Sequence, residues 1–203
     1  MAGPVVAAAV YAPSSSELIA LARDSKKLSA SQRNAVYEQL KADKSIVSSF
    51  AVVDNRIIDE VNILQASLKA MKLAIDDTYS KIQYLNLSLA ADPGQFYAFI
   101  DGNKCPHPLP IKSRAIVKGD SLCYSIALAS IVAKVERDKI MEEFDLDFPH
   151  YGFAKHKGYP TREHTLALHK FGASSIHRMT FKPVRGREAS NSPMLIWTAA
   201  SET

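Results

Sequence analysis

The sequence predicts an α/β fold with a mixed sheet flanked by helices and a small helical part towards the C-terminus. Apolar, strand-like runs alternate with helical patterns along the chain, and neither an internal repeat nor a second core-forming segment is evident. With 203 residues, 47% of them hydrophobic, the chain can form one well-packed domain. We therefore expect one domain over residues 1–184 and an irregular tail over residues 185–203.

The N-terminal part of the sequence predicts a strand, a helix and a second strand. Residues 5–11 are a short apolar run, which is typical of a buried strand. The pattern Ser29-Ala30-Ser31-Gln32 has the form of a capping box, so we expect a helix to begin there and to end near Asp43. Residues 46–53 are rich in β-branched side chains and predict the second strand.

The clearest helical pattern of this half covers residues 59–76. Apolar side chains recur there at positions i, i+4, i+7 and i+11, which places them on one face of a helix. These residues are Leu64, Leu68, Met71 and Ile75. We interpret the stripe as part of the core and not as a cofactor site.

Two short strands predicted in the middle of the chain each lead to an aspartate. Residues 96–100 form an apolar strand that ends at Asp101, and residues 115–118 form another that leads to Asp120. Three prolines between residues 106 and 110 exclude regular structure in the connection.

The C-terminal third predicts two helices separated by a loop. Residues 125–143 form a long helix whose first half is rich in alanine and serine, which permits close approach to the sheet. Residues 148–161 are predicted as a loop. Thr161 begins a further helix that ends near Gly172, a typical residue for a helix C-terminus.

Composition and motifs exclude several classes of protein. Neither Cys105 nor Cys123 belongs to a Cys-x-x-Cys pair, so a disulfide framework or a zinc site is not expected. Glycine-rich nucleotide loops and the local context of a serine hydrolase are missing, which argues against kinases and acyl hydrolases. The sequence has no membrane-spanning stretch or signal peptide, and we expect a cytoplasmic location. The net charge of +4 permits a polyanionic partner without requiring one.

Asp101 and Asp120 are the candidate metal ligands and catalytic residues. Each lies beside a glycine where an apolar run ends, and carboxylates at the rim of a sheet can bind a hard divalent cation. The alternative interpretation is that both aspartates simply form turns.

Basic and aromatic residues form candidate contacts with nucleic acid. The segment 151–162 combines rings that stack on sugars or bases with cations that bind phosphates, and it includes Lys155, His156, Lys157 and Tyr159. Lys26 and Lys27 are a second candidate, with a solvated charged turn as the alternative. The pair His177-Arg178 is a third, for which a capping or ion-pairing role is the alternative.

The ordered set of motifs resembles ribonuclease HII of the bacterial type over residues 2–184. Each motif alone is moderately specific, whereas the full set in this order is highly specific. The matching stretches are 2–10 (AGPVVAAAV), 24–29 (DSKKLS), 62–66 (NILQA), 101–103 (DGN), 119–121 (GDS), 125–134 (SIALASIVAK), 151–159 (YGFAKHKGY) and 176–178 (IHR).

This resemblance implies a ribonuclease H-like fold and an endonuclease. Such an enzyme cuts the RNA strand of RNA–DNA hybrids and cuts at ribonucleotides embedded in duplex DNA, using two divalent ions, Mn²⁺ or Mg²⁺. Asp101 and Asp120 match the third and fourth of the family's four acidic ligands. Tyr159 matches the tyrosine that stacks on the deoxyribose after the ribonucleotide. We expect Lys26, Lys27, Lys155, His156, Lys157 and Arg178 to contribute to substrate binding and the protein to be a monomer.

The sequence departs from the family pattern at its first strand. Family members carry Asp-Glu-Ala-Gly-Arg-Gly, then Pro, an apolar residue and Ala-Gly-Pro-Val-Val, and here Met1 occupies the place of that apolar residue. The first two acidic ligands and the Gly-Arg-Gly loop are therefore not in this sequence. A start assigned too late and a real truncation are the two explanations, and we favour the first. For the chain as given we predict little or no nuclease activity.

Overall fold

The computed structural model describes residues 1–22, 28–85 and 96–187. Four strands are present in these residues: β1 Val5–Tyr11, β2 Val47–Val53, β3 Tyr97–Asp101 and β4 Lys112–Ile116. β1 and β2 are antiparallel, with Val5 opposite Val53, and β3 and β4 are parallel, with Tyr97 opposite Lys112. The sheet is thus mixed in strand direction, but the described residues divide it into two hydrogen-bonded pairs.

The described residues also contain seven α-helices. These are α1 Leu18–Ala22, α2 Ala30–Ala42, α3 Asn55–Val61, α4 Ile63–Tyr84, α5 Tyr124–Asp147, α6 Phe153–His156 and α7 Arg162–Phe171. The predicted capping box at the start of α2 is confirmed, because the Ser29 hydroxyl accepts from the Gln32 amide and the Gln32 side chain accepts from the Ser29 amide. Thr161 likewise caps α7 by accepting from the His164 amide.

Helices α4 and α5 cover opposite faces of β1. Ala8 and Val10 pack with α2 and with the apolar face of α5, whereas Val5 and Ala7 pack with α3 and α4. This division follows from strand geometry, because successive side chains point to opposite faces. The long helices therefore form two layers with strands between them.

The helix predicted over residues 59–76 is in fact two helices. The chain breaks at Asn62, whose φ of +71° is incompatible with a continuous helix. The Asn62 side chain accepts from the amides of Leu64 and Gln65 and so begins α4, while Asp54 caps α3 in the same way.

The predicted core stripe is only partly correct, because Ile75 is buried and Leu68 and Met71 are half-buried, whereas Leu64 is exposed. The first half of α4 instead packs through its alanines, Ala66, Ala70 and Ala74.

Two further predictions need correction. The fourth strand covers Lys112–Ile116 and not residues 115–118, because Lys118 adopts a left-handed conformation that begins the turn to Asp120. The predicted loop over residues 148–161 contains the short helix α6. The tail from residue 188 onwards lies outside the described residues.

Candidate active site and nucleic-acid interface

The two candidate metal ligands are brought together at the ends of β3 and β4. Asp101 is the last residue of β3, and its Oδ1 atom accepts a 2.8 Å hydrogen bond from the Gly119 amide. The amide of Gly102 donates to the Ile116 carbonyl, which joins the ends of the two strands. Asp120 directly follows Gly119, so both aspartates belong to one rim of the sheet.

A tight turn fixes the backbone on the Asp120 side of this rim. Residues Gly119–Ser121 form a single 3₁₀ turn after Lys118 in the left-handed conformation. Gly119 is buried, and a Cβ atom at this position would lie 2.5 Å from the Ile126 Cδ1 atom. A side chain at this position would therefore require Ile126 to move, so glycine suits the close approach of the turn to the start of α5.

The donor set of the rim suits a hard divalent cation. Asp101 and Asp120 offer carboxylate oxygens, and Mg²⁺ prefers one or two such ligands together with water and phosphate oxygens. No cluster of three or more histidine, cysteine, aspartate or glutamate side chains that could hold a metal occurs in the described parts of the chain. The two aspartates thus fit one cation, and two cations require further anionic groups.

Tyr159 presents an exposed ring with cations beside it. Its exposed fraction is 54%, and the Lys134 Nζ and Arg137 Cζ atoms lie 5.7 and 5.3 Å from the ring centroid. Arg137 also donates to the carbonyls of Lys157 and Pro4 at 3.0 and 3.1 Å. The same guanidinium therefore holds the backbone before Tyr159 and supports its ring.

Two buried histidines hold the Tyr159 backbone from inside the protein. The Ser174 amide donates to His177 Nδ1 at 2.9 Å, and the Nε2 atoms of His177 and His164 are 3.0 Å apart. Because His177 Nδ1 accepts, we assign the proton to its Nε2 atom, which then donates to His164. His164 Nδ1 in turn donates to the Tyr159 carbonyl at 2.9 Å.

Burial keeps these histidines neutral. Burial lowers the pKa of His164 to about 4. It is also the largest cause of the lowered pKa of His177, about 3, and repulsion from the protonated form of His164 adds to this effect. At neutral pH both rings can therefore keep the alternating donor and acceptor roles that the chain of hydrogen bonds requires.

The three predicted binding residues before Tyr159 have different environments. Lys155 is exposed and pairs with Glu163 at 2.6 Å. Lys157 pairs with Glu142 at the same distance and has a φ of +49°. His156 is buried, and its ring nitrogens bond the Tyr151 carbonyl and the Gly158 amide. The exposed Lys155 ammonium group can reach a phosphate, whereas the Lys157 side chain is only 15% exposed and His156 is bonded to the backbone.

Arg178 is also buried and bonded to the backbone. Only 8% of it is exposed, and it donates to the carbonyls of Gly3 and Pro4 at 2.9 and 3.1 Å. Burial lowers its pKa to about 10, so the guanidinium remains charged at neutral pH. Asp59 accepts from the amides of the next two residues, which fixes this segment against α3.

Two predicted binding residues cannot be located, and three residues that support Tyr159 were not predicted. Lys26 and Lys27 lie outside the described residues. The sequence reading missed Lys134, Arg137 and His164, which support Tyr159. Lys134 and Arg137 are three residues apart and therefore share one face of α5. This spacing could have indicated a pair of cations on one helix face. No sequence motif links His164 to Tyr159.

Comparison with known proteins identifies the family. The family model described as Ribonuclease HII matches residues 1–184. The chain belongs to the ribonuclease HII family. Ribonuclease HII of Enterococcus faecalis is 44% identical over 185 residues, which are 91% of this chain and 66% of that protein. Ribonuclease HII of Syntrophus aciditrophicus is 46% identical over 185 residues, 90% of this chain and 78% of that protein.

Solved structures agree with the ribonuclease H-like fold. A PCNA:RNase HII complex from Archaeoglobus fulgidus matches with 25% identity and a TM-score of 0.61, covering 89% of each chain. Ribonuclease H2 from Pyrococcus horikoshii matches with 20% identity and a TM-score of 0.63, covering 90% of each chain. The predicted family, fold class and enzyme class, a ribonuclease H endonuclease, are therefore confirmed.

No helix in the described part of the chain has the length and apolar character needed to cross a membrane.

Proposed function

We propose that this ribonuclease HII hydrolyses the RNA strand of RNA–DNA hybrids and cuts at ribonucleotides embedded in duplex DNA. The products are 5′-phosphate and 3′-hydroxyl ends. The observation that carries this proposal is the hydrogen bond from the Gly119 amide to Asp101, which brings Asp101 beside Asp120 at one rim. Paired carboxylates at a sheet rim suit phosphodiester hydrolysis assisted by divalent ions.

Asp101 and Asp120 are the proposed ligands for Mn²⁺ or Mg²⁺. A divalent ion bound there supplies Lewis acidity, which lowers the pKa of a coordinated water and neutralises charge on the phosphate. The Gly119 amide orients the Asp101 carboxylate, and one carboxylate oxygen remains available beyond that hydrogen bond. A two-ion centre needs additional carboxylates, which the Asp-Glu-Ala-Gly-Arg-Gly motif of family members would supply.

Substrate binding is assigned to the surface around Tyr159. The exposed ring stacks on a deoxyribose, and Lys155 and Lys157 exchange their carboxylate partners for phosphate oxygens. His156 and Arg178 act on binding indirectly, by holding the backbone of this surface. Lys26 and Lys27 remain proposed phosphate contacts.

Helix α5 links the proposed binding surface to the carboxylate rim. Ile126 packs beside Gly119 at the rim, and Lys134 lies beside Tyr159, eight residues further along α5. Eight residues correspond to about 12 Å along a helix axis. A duplex with a base-pair rise of about 3.4 Å can therefore contact both places within a few base pairs.

A second candidate function is nucleic-acid binding without catalysis. It is favoured by a contrast: the Tyr159 segment is held by several hydrogen bonds, whereas the candidate metal site has only two carboxylates in the described residues.

We expect the protein to act as a monomer in the cytoplasm. Light scattering, alone and with duplex, tests the first part of that expectation.

Cleavage assays on two proteins decide between these functions. One is the chain as given, and the other carries the motif Asp-Glu-Ala-Gly-Arg-Gly-Pro upstream of Met1. Both are tested with Mn²⁺ on a duplex with one ribonucleotide and on a long hybrid. The proposal predicts cleavage by the extended protein and little by the given chain. Binding without cleavage by both proteins would favour the second candidate, and equal turnover would contradict the need for further ligands.

A further inference from the structure

A small cleft separates the start of α2 from the middle of α5. Its volume is about 130 Å³. Because a water molecule takes up about 30 Å³ in the liquid, the cleft has room for about four waters, or for one phosphate group in their place. Most of the residues that line it are charged, namely Arg33, Asp138, Lys139, Glu142 and Lys157. The balance of these charges determines which kind of ligand the cleft can bind.

Arg33 has hydrogen-bond donors to spare in this cleft. Its Nη2 atom donates to the Leu28 carbonyl at 3.0 Å, which is the one hydrogen bond of this side chain within the described residues. A guanidinium carries five N–H donors in a fixed planar arrangement. Arg33 is half-buried and forms no ion pair with a described carboxylate, so its remaining donors are available to an anion in the cleft.

Lys139, on the α5 side of the cleft, is held only weakly. Its Nζ atom lies 3.9 Å from Glu136 Oε1, which is too long for a hydrogen bond, and 4.4 Å from the centroid of the Tyr37 ring. Glu136 already accepts a hydrogen bond from the Tyr37 hydroxyl. The Lys139 side chain is 46% exposed, so its ammonium group can turn towards an anion without breaking a strong contact.

Other cations neutralise the two carboxylates of the cleft. Asp138 pairs with Lys134 at 2.6 Å, one turn earlier in α5, and Glu142 pairs with Lys157 at the same distance. Neither carboxylate is therefore needed by the guanidinium from α2 or by the weakly held lysine of α5. The cleft keeps an excess of positive charge, which favours an anionic ligand.

The cleft lies beside the Tyr159 ring. Lys134, the partner of Asp138, has its Nζ atom 5.7 Å from the ring centroid, and Lys157 is two residues before Tyr159. A strand whose sugar stacks on this ring brings its neighbouring phosphates close to the cleft. Each strand of a duplex carries one phosphate about every 3.4 Å along the axis, so an anion of the right size is at hand.

We propose that this cleft binds one backbone phosphate of the duplex, through Arg33 and Lys139. The planar guanidinium matches two phosphate oxygens at once, and the lysine adds a point charge from the other helix. The inference rests on the proposed function, because it takes the phosphate from the strand that contacts Tyr159. A free phosphate ion has the same chemistry, so the two sources must be distinguished by experiment.

Salt dependence measures whether the two cations share one phosphate. The full chain is titrated, in EDTA, into a fluorescein-labelled duplex with one ribonucleotide, and anisotropy gives the affinity at several salt concentrations. Arg33→Gln and Lys139→Gln should each weaken binding about threefold or more. In the double variant the negative slope of log affinity against log salt should become shallower by about one unit. A change of about two units would mean two separate phosphates and would overturn the shared site.

Control variants keep this result specific. Lys69→Gln removes an exposed cation from α4, on the opposite face of β1, and should leave both affinity and slope unchanged. Arg33→Lys keeps the charge and should retain the slope, while affinity falls because the planar fork is lost. If Arg33→Gln does not fold, as judged by circular dichroism, Lys139→Gln tests the site alone, and parent affinity in that variant would overturn it.

A scan of uncharged linkages locates the contact. One methylphosphonate replaces a phosphate at each position within about three nucleotides of the ribonucleotide, in separate duplexes. The parent chain should lose affinity at the position that the cleft binds, and the double variant should show no further loss at that position alone. Losses that are the same for both proteins at every position would overturn the cleft as a phosphate site.

The remaining outcomes separate this inference from the proposed function. An unchanged slope in the double variant, together with weaker binding by Tyr159→Ala, overturns the cleft and leaves the proposed function standing. Failure of the parent chain to bind any of the duplexes contradicts both. Inorganic phosphate that shifts the Arg33 Nε signal in NMR spectra, without any effect of the double variant on duplex binding, would assign the cleft to a free anion and overturn the duplex contact.

Discussion

The carboxylate rim and the Tyr159 segment differ in how firmly the surrounding structure holds them. At the rim, Asp101 is exposed and its carboxylate accepts a hydrogen bond from the Gly119 amide. The Tyr159 segment is bonded from inside by His164 and from the side by Arg137. The difference indicates that the proposed binding surface around Tyr159 is held in place by the described residues themselves, whereas the proposed two-ion site at the rim requires further carboxylates.

The largest expected effect comes from removing the charge at the rim. In the protein extended with the acidic motif, Asp101→Asn keeps an oxygen for the Gly119 amide but loses the anionic ligand. Cleavage should fall at least about a hundredfold, or about 2.7 kcal/mol in activation free energy, with an unchanged melting temperature. Asp77→Asn, which removes an exposed carboxylate paired with Lys81, is the matched control. Comparable cleavage by the two variants would contradict the role of the rim.

An effect of similar size, on stability and not on cleavage, is expected from the loss of the internal support for Tyr159. His177→Ala leaves a cavity and removes the partners of Ser174 and His164. We expect the free energy of unfolding to fall by about 3 kcal/mol, as measured by urea denaturation. The exposed residue His150 provides the control, because His150→Ala removes only a surface stacking contact with Phe171. If His177→Ala were no less stable than this control, the support would not be structural.

The exposed ring itself should have a smaller and more selective effect. Tyr159→Ala removes stacking worth about 1–3 kcal/mol, so cleavage at single ribonucleotides should fall about tenfold or more. Long hybrids, which offer many positions, should be affected less. Tyr159→Phe keeps the ring and should retain most activity. Equal losses on both substrates would argue against recognition of the RNA–DNA junction.

Acid should destabilise the segment around Tyr159 through the buried histidines. Their pKa values in the folded state, about 4 for His164 and about 3 for His177, lie below the ordinary value of 6.5. The unfolded state therefore takes up protons first, and stability is lost as the pH falls from about 6.5 towards 4. The buried Met1 amino group, whose pKa burial lowers to about 5, acts in the same direction.

A histidine variant separates these contributions. Melting temperatures between pH 7.5 and 4.5 should fall less steeply for His164→Gln than for the parent protein. His150→Gln, at an exposed position, should show the parent slope. Identical slopes in all three proteins would exclude His164 as a source of the acid sensitivity.

The smallest expected effect is at the exposed lysine. Lys155→Ala breaks a surface ion pair with Glu163, so the free energy of unfolding should change by less than about 1 kcal/mol. If Lys155 contacts phosphate, the slope of log affinity against log salt, which is negative, should become shallower by about one unit. Glu163→Gln is the control, because it frees Lys155 and should not reduce the slope. An unchanged slope for Lys155→Ala would remove it from the interface.

Much of the architecture could be predicted because it depends on local patterns. The capping residues Ser29 and Thr161 identified the starts of α2 and α7, and the short apolar runs identified β1 and β3. The break at Asn62 was missed because no glycine or proline marks it, and it depends on the left-handed φ of Asn62 and on its side chain, which caps α4. The position of β4 was missed because a left-handed residue, Lys118, decides where that strand can end.

The candidate site could be predicted where its residues are next to one another in sequence. The Asp-Gly and Gly-Asp pairs indicated Asp101 and Asp120 without knowledge of the fold. The support of Tyr159 could not be inferred this way, because Ser174, His164 and Arg137 approach it from separate segments. Likewise, burial decides that His156 and Arg178 bond the backbone, and no sequence pattern distinguishes them from exposed cations.

Paramagnetic broadening by Mn²⁺ tests the shared carboxylate rim most directly. Amide signals of the full chain are recorded with an RNA–DNA hybrid while Mn²⁺ is added at substoichiometric amounts. We predict that broadening centres on the amides of Gly102, Gly119 and Asp120, and that Asp101→Asn and Asp120→Asn each abolish it. Broadening centred elsewhere, or unchanged in both variants, would contradict a common cation site at the ends of β3 and β4.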